Sequence, residues 1–185
     1  MKKNNEGFAL PLSLMLLVVM TLMGATLVST TSSDLRSNKD RDSGSQAFYA
    51  AESGITMAKQ YIKNQTNYAI GNDPSGQLRF CKTSFFPNLR PGTVKSINDH
   101  VGRYNLSQLI TATGKEKERL DNYSFEYFIT YSPDQNGLTS NAQKNPGTNN
   151  ILYTIYSCGC DNNFNQCRPQ TDKIVSLEAV VTIVE

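Results

Sequence analysis

The chain has 185 residues, 38% of them hydrophobic, and a formal net charge of +2. That length fits one domain plus an anchor. A near-neutral balance gives no support for nucleic-acid binding, since no face need be strongly basic.

The first element is the most informative. A short polar leader carrying Lys2 and Lys3 ends at Gly7, and from Phe8 to Val28 no residue is charged. The polar side chains in that run are Ser13, Thr21 and Thr26. As a helix it would be roughly 30 Å long, enough to cross the hydrocarbon core of a bilayer. Pro11 falls in the first turn, where its missing N–H removes no intrahelical bond. The two lysines hold the N-terminus on the cytoplasmic side, so the rest of the chain is expected outside. A secretory signal peptide is a competing reading, with Ala25 mimicking a cleavage site. Against it, the apolar run is too long and the basic leader turns acidic at Glu6. A plain uncleaved anchor gives the same hydropathy.

The junction Glu6-Gly7-Phe8, followed by an unbroken apolar helix, resembles the class III signal of type IV pilins. A second block, Gln46-Ala47-Phe48-Tyr49-Ala50-Ala51-Glu52-Ser53-Gly54, resembles the AFYAAE-G signature of PilX-type minor pilins. These are related to the K-type tip pseudopilins of type II secretion. The resemblance covers residues 6 to 62 and implies a pilin fold. It also implies cleavage after Gly7 by prepilin peptidase and N-methylation of the new terminus at Phe8. One position departs from the pattern. Most pilins carry a glutamate four residues after the cleavage point, where it pairs with the N-terminal amine of a neighbouring subunit; here that position is Leu12. K-type tip subunits likewise lack it, so Leu12 argues against a major pilin.

Helical signals continue past the apolar run. Ala47, Ala51, Ile55, Ala58 and Ile62 recur at i+3 or i+4, one stripe of an amphipathic helix. The first helix is therefore expected from about Pro11 to Ile62, with its small alanines letting a sheet approach closely. Ser43-Gly44-Ser45 is its weak point, where low propensity permits a kink or local melting. Between Lys63 and Asp121 the signals are poor. The stretches 71–76 and 88–92 read as turn-rich loops, and Ser96 to Ile110 as a place for a short helix. The charge run Lys115 to Arg119 reads as a solvated face. Three strands follow, at Ser124–Ser132, Asn150–Cys158 and Lys173–Val184, each rich in aromatic and β-branched residues. They read as an antiparallel meander with one face on the helix. The connections Pro133–Asn149 and Gly159–Asp172 are the long loops, where recognition surfaces tend to lie.

The four cysteines, Cys81, Cys158, Cys160 and Cys167, are an even count in an outward-facing chain, which reads as two disulfides. A Cys158–Cys160 bridge would close a very tight ring, so two connectivities remain. Strand pairing favours Cys81–Cys158 with Cys160–Cys167. A tetrathiolate zinc site would prefer C-x2-C pairs, which C-G-C-x6-C does not supply.

No catalytic constellation is legible. His100 is the single histidine, and no serine elbow, phosphate-binding glycine loop or H-E-x-x-H accompanies it. It reads as a surface-loop residue. Asp134-Gln135-Asn136-Gly137 and Asp161-Asn162-Asn163 gather oxygen side chains in the manner of calcium loops, but neither completes an EF-hand. No metal or cofactor is expected.

The expected architecture is α+β. It comprises a leader (1–7), the membrane half of a long helix (8–28), its amphipathic half (29–62) and a globular head (63–185) with an antiparallel sheet of about three or more strands. The resemblance implies a non-catalytic minor pilin that primes or caps a type IV pilus. Its partners would be other major and minor pilins through the N-terminal helix, the prepilin peptidase and the inner-membrane assembly platform. A type II secretion pseudopilin is the alternative from the same machinery. A membrane-anchored adhesin or binding protein is the alternative from another class.

Overall fold

An apolar run that continues into an alanine-rich amphipathic stripe, with Pro11 its only proline, builds one long helix. In the computed structural model, which describes residues 9–65, 71–89, 94–131 and 151–183, α1 spans Ala9–Asn64. The low-propensity residues Ser43, Gly44 and Ser45 lie within it without interruption. Their cost, up to about 1 kcal/mol for glycine, is outweighed by good helix formers on both sides. The chain divides into two units, Met1–Asp42 and Ser43–Glu185, so α1 contributes to both.

Among the described residues of the second unit, four strands form one antiparallel sheet in sequence order: β1 (Ser96–Asn105), β2 (Ser124–Tyr131), β3 (Ile151–Cys160) and β4 (Ile174–Ile183). The three strands expected from aromatic and β-branched runs are β2 to β4, and β1 is an addition. It occupies the segment read as a short helix. That reading fails because residues 101–105 pair with β2, Val101 opposite Phe128 and Asn105 opposite Ser124. Helical character survives only as the 3-10 turn Leu106–Gln108. The charge run becomes a short helix, α2 (Lys115–Asp121), with no buried residue, consistent with a solvated face.

The sheet is covered on both faces. One face meets the rear of α1, where Ala50, Ala58 and Ile62 pack with Phe125, Tyr127, Ile129, Tyr131, Tyr153 and Ile155. The opposite face carries a second apolar cluster, Phe80, Cys81, Phe86, Val94, Phe128, Tyr156, Cys158 and Cys160. This explains why all eight residues of β2 are buried, where simple alternation would leave half of them to water. Two disulfides, Cys81–Cys158 and Cys160–Cys167, fix the second cluster and the loop after β3. This is the connectivity that strand pairing favoured.

Candidate functional site

In the first unit, the large apolar side chains from Leu10 to Val28 are exposed, between 46% at Val18 and 74% at Leu10. By length and composition this helix is able to cross a membrane. Its few hydroxyls do not need water. Ser13 donates to the Leu10 carbonyl at 2.9 Å, Thr21 to Val18 at 2.8 Å and Thr26 to Met23 at 2.9 Å. Each polar group is thus satisfied within the helix, the condition a hydrocarbon environment imposes. Leu12 is among the exposed residues. Gly7 and Phe8 lie outside the described residues.

In the second unit, the block 46–54 separates into two faces. Ala47, Ala50, Ala51 and Gly54 are buried, while Phe48, Tyr49 and Glu52 are exposed. The buried set matters for its lack of side chain. A Cβ on Gly159 of β3 would stand 1.9 Å from the Ala47 carbonyl oxygen and 2.5 Å from the Ala51 nitrogen. A Cβ on Gly54 would stand 2.2 Å from Ser157 Oγ. Ser157 itself donates to the Ala51 carbonyl at 2.8 Å, a side-chain bond from strand to helix backbone in the dry interior. So the small residues allow direct backbone contact between α1 and β3. The sequence stripe named Ala47, Ala51, Ile55, Ala58 and Ile62 but missed Ala50 and Gly54. The repeat of small residues at 47, 50, 51, 54 and 58 was the available signal.

The cysteine region is organised by a residue that sequence reasoning passed over. Glu126 points from β2 into the second cluster and is fully buried. Its carboxylate accepts the backbone N–H of Arg79 and Phe80 at 3.0 Å and of Cys81 at 2.9 Å. Arg103 of β1 donates to it through Nε at 2.9 Å, with a second guanidinium nitrogen at 2.8 Å. Glu126 also sits opposite Cys158 in the β2–β3 register, so the same carboxylate holds Cys81 beside its disulfide partner. A lone acid in an otherwise apolar strand was the signal.

The remaining candidates resolve into structural roles. His100 is not a surface-loop residue: it lies on β1, half-buried and stacked on Tyr61 of α1. Asp161 accepts the Lys173 N–H, Asn162 gives its carbonyl to Ser124, and Asn163 reaches the Asp121 carbonyl. Their oxygens and amides thus hold the loop after β3 together. Asp134 to Gly137 fall outside the described residues. Cys160, Cys167 and Asp172 bring potential ligand atoms within 4.8 Å of one another, but both sulfurs belong to one disulfide and offer no thiolate.

Residues 6–56 match the family described as PilX N-terminal. No curated protein and no solved structure matches the chain.

Proposed function

We propose, from the match of residues 6–56 to the PilX N-terminal family, that the chain is a minor pilin that primes or caps type IV pilus assembly. The observation that carries this reading is the family match over residues 6–56, on a helix whose front part is apolar and exposed. A family of pilins implies association with other pilins. In the proposed sequence of events, prepilin peptidase removes residues 1–7 on the cytoplasmic side and Phe8 becomes the N-methylated terminus. The helix from 8 to 28 then waits in the membrane with the head outside, until the inner-membrane assembly platform draws it into the fibre. Its role is structural. The head (63–185) would stay folded throughout, held by its two disulfides.

The N-terminus tests this reading against its rivals. Intact mass of the protein recovered from its native host should correspond to a chain beginning at Phe8. A chain beginning at Met1 points to an anchored binding protein or adhesin, and one beginning near Ala25 to a secreted protein; either sinks the pilin reading.

A further inference from the structure

The register of β1 against β2 breaks between Ser96, opposite Thr130, and Val101, opposite Phe128. Residues 97–100 therefore stand opposite the single residue Ile129, a large bulge. Two successive non-glycine residues in it, Asn98 and Asp99, hold left-handed backbone at φ 55° and 54°. Asn and Asp tolerate that region better than other side chains, but it still costs free energy and persists only where the surroundings impose it. Here the 71–72 segment does so. Gly71 N–H donates to the Ser96 carbonyl at 2.8 Å and Ser96 N–H to the Asn72 carbonyl at 3.0 Å. The Asp99 carboxylate accepts both the backbone N–H and the side-chain amide of Asn72. No side chain fits at Gly71, since a Cβ there would lie 2.6 Å from the Asp99 nitrogen.

The bulge sets His100 on the end of α1. Its ring stacks on Tyr61 with centroids 3.8 Å apart and planes 4° from parallel, and its Nε2 lies 3.2 Å from the Tyr127 hydroxyl. We propose that this stack is an acid-sensitive latch, in which protonation of His100 releases the last turns of α1 from the bulge of β1. Among the described residues, the rings that meet it are phenols, Tyr61 from α1 and Tyr127 from β2, with Tyr104 farther along β1 beside Phe125. The nearest acid in sequence, Asp99, has its carboxylate engaged with Asn72. Arg103 and Glu126 pair with each other in the second cluster, across the sheet from α1. On α1, Lys59 and Lys63 are exposed cations that give a second positive charge no help. The Tyr61 ring face offers an imidazolium a partial cation–π return. Desolvation outweighs it and lowers the His100 pKa from the ordinary 6.5. Burial likewise raises the Tyr127 pKa, so that hydroxyl stays protonated and supplies no negative charge.

The sign follows from linkage. As pH falls below 6.5 the unfolded or released chain takes up the proton first, so the latch contributes fully above 6.5 and is lost as pH falls through the folded value. The test is hydrogen exchange of the full chain in detergent micelles at pH 7.5 and 5.0, corrected for intrinsic rates, beside an NMR titration of His100. Wild type should lose protection over 58–64 and 96–101 at the acid pH, with the His100 midpoint below 6.5. The H100F variant, which keeps a ring on Tyr61 without a titrating group, should keep its protection at both. Equal acid sensitivity in wild type and H100F, unchanged protection in wild type, or a midpoint at or above 6.5 overturns the proposal. If H100F does not fold, H100Q takes its place, and the wild-type titration and exchange remain decisive.

Discussion

Glu126 shows how much one side chain can organise. A buried carboxylate is costly unless its lone pairs are filled, and here three backbone N–H groups and one guanidinium fill them. Arg103 keeps 29% of its side-chain surface exposed, so its charge is partly solvated and the pair is not sealed from water. Replacing Glu126 by alanine leaves the N–H groups of Phe80 and Cys81 buried without an acceptor and removes the partner of Arg103. Roughly 3 kcal/mol of destabilisation is expected, read as a lowered denaturation midpoint of the detergent-solubilised chain. A change within about 0.5 kcal/mol would mean that the disulfide alone holds the 79–81 segment in place.

Among the elements, the contact of α1 with β3 is decided by what is missing from the side chains. Alanine and glycine on the helix, and Gly159 on the strand, bring two backbones together where larger residues would hold them apart. Gly159→Ala puts a methyl 1.9 Å from a helix carbonyl, a clash that no rotamer change can relieve. Overpacking of this kind costs up to about 3 kcal/mol and occasionally more, so thermal melting of G159A should fall well below wild type. Gly76→Ala is the control, because its Cβ meets nothing within 4 Å. Equal melting of the two variants would show that α1 lies farther from the sheet than described here. The disulfides act on the other face. In the chain-entropy view the Cys81–Cys158 bridge, with 77 residues of separation, stabilises by about 4.5 kcal/mol and the Cys160–Cys167 bridge, with 7, by about 2.5.

For the whole molecule, the decisive position is Leu12. A subunit inside a pilin array would need an acidic group there to neutralise a neighbour's N-terminal ammonium, since an unpaired charge in an apolar core is costly. Leucine supplies none. The proposed minor pilin should therefore be rare and sit at the leading tip, where it receives no neighbour above it. Immunogold labelling of sheared pili, with the subunit counted by quantitative mass spectrometry, should find it at fibre ends and in low copy number. Even labelling along the shaft would remove the Leu12 argument.

The elements legible in the sequence are those whose signal is local. The apolar run and alanine stripe of α1 repeat every turn, and β2, β3 and β4 announce themselves by runs such as SFEYFITY and ILYTIYS. An even set of cysteines, three of them close in sequence and Cys81 distant, pointed to the observed bridges. Other features depend on residues far apart in the chain. β1 reads as a place for a short helix because the bulge at 97–100 breaks its alternation, and only pairing with β2 and pinning by Asn72 make it a strand. The covering of the second face comes from Phe80, Phe86 and Val94, scattered through a segment without periodicity, so it emerges only when Glu126 and Cys158 draw that segment in. His100 resembled a loop residue for the same reason. By itself the sequence determined the long apolar helix, the three regular strands and the oxidised cysteines, through local periodicity and composition. Only the tertiary structure decided the fourth strand, the second core and the environments of His100 and Glu126, because those rest on non-local contacts that no short window of residues encodes.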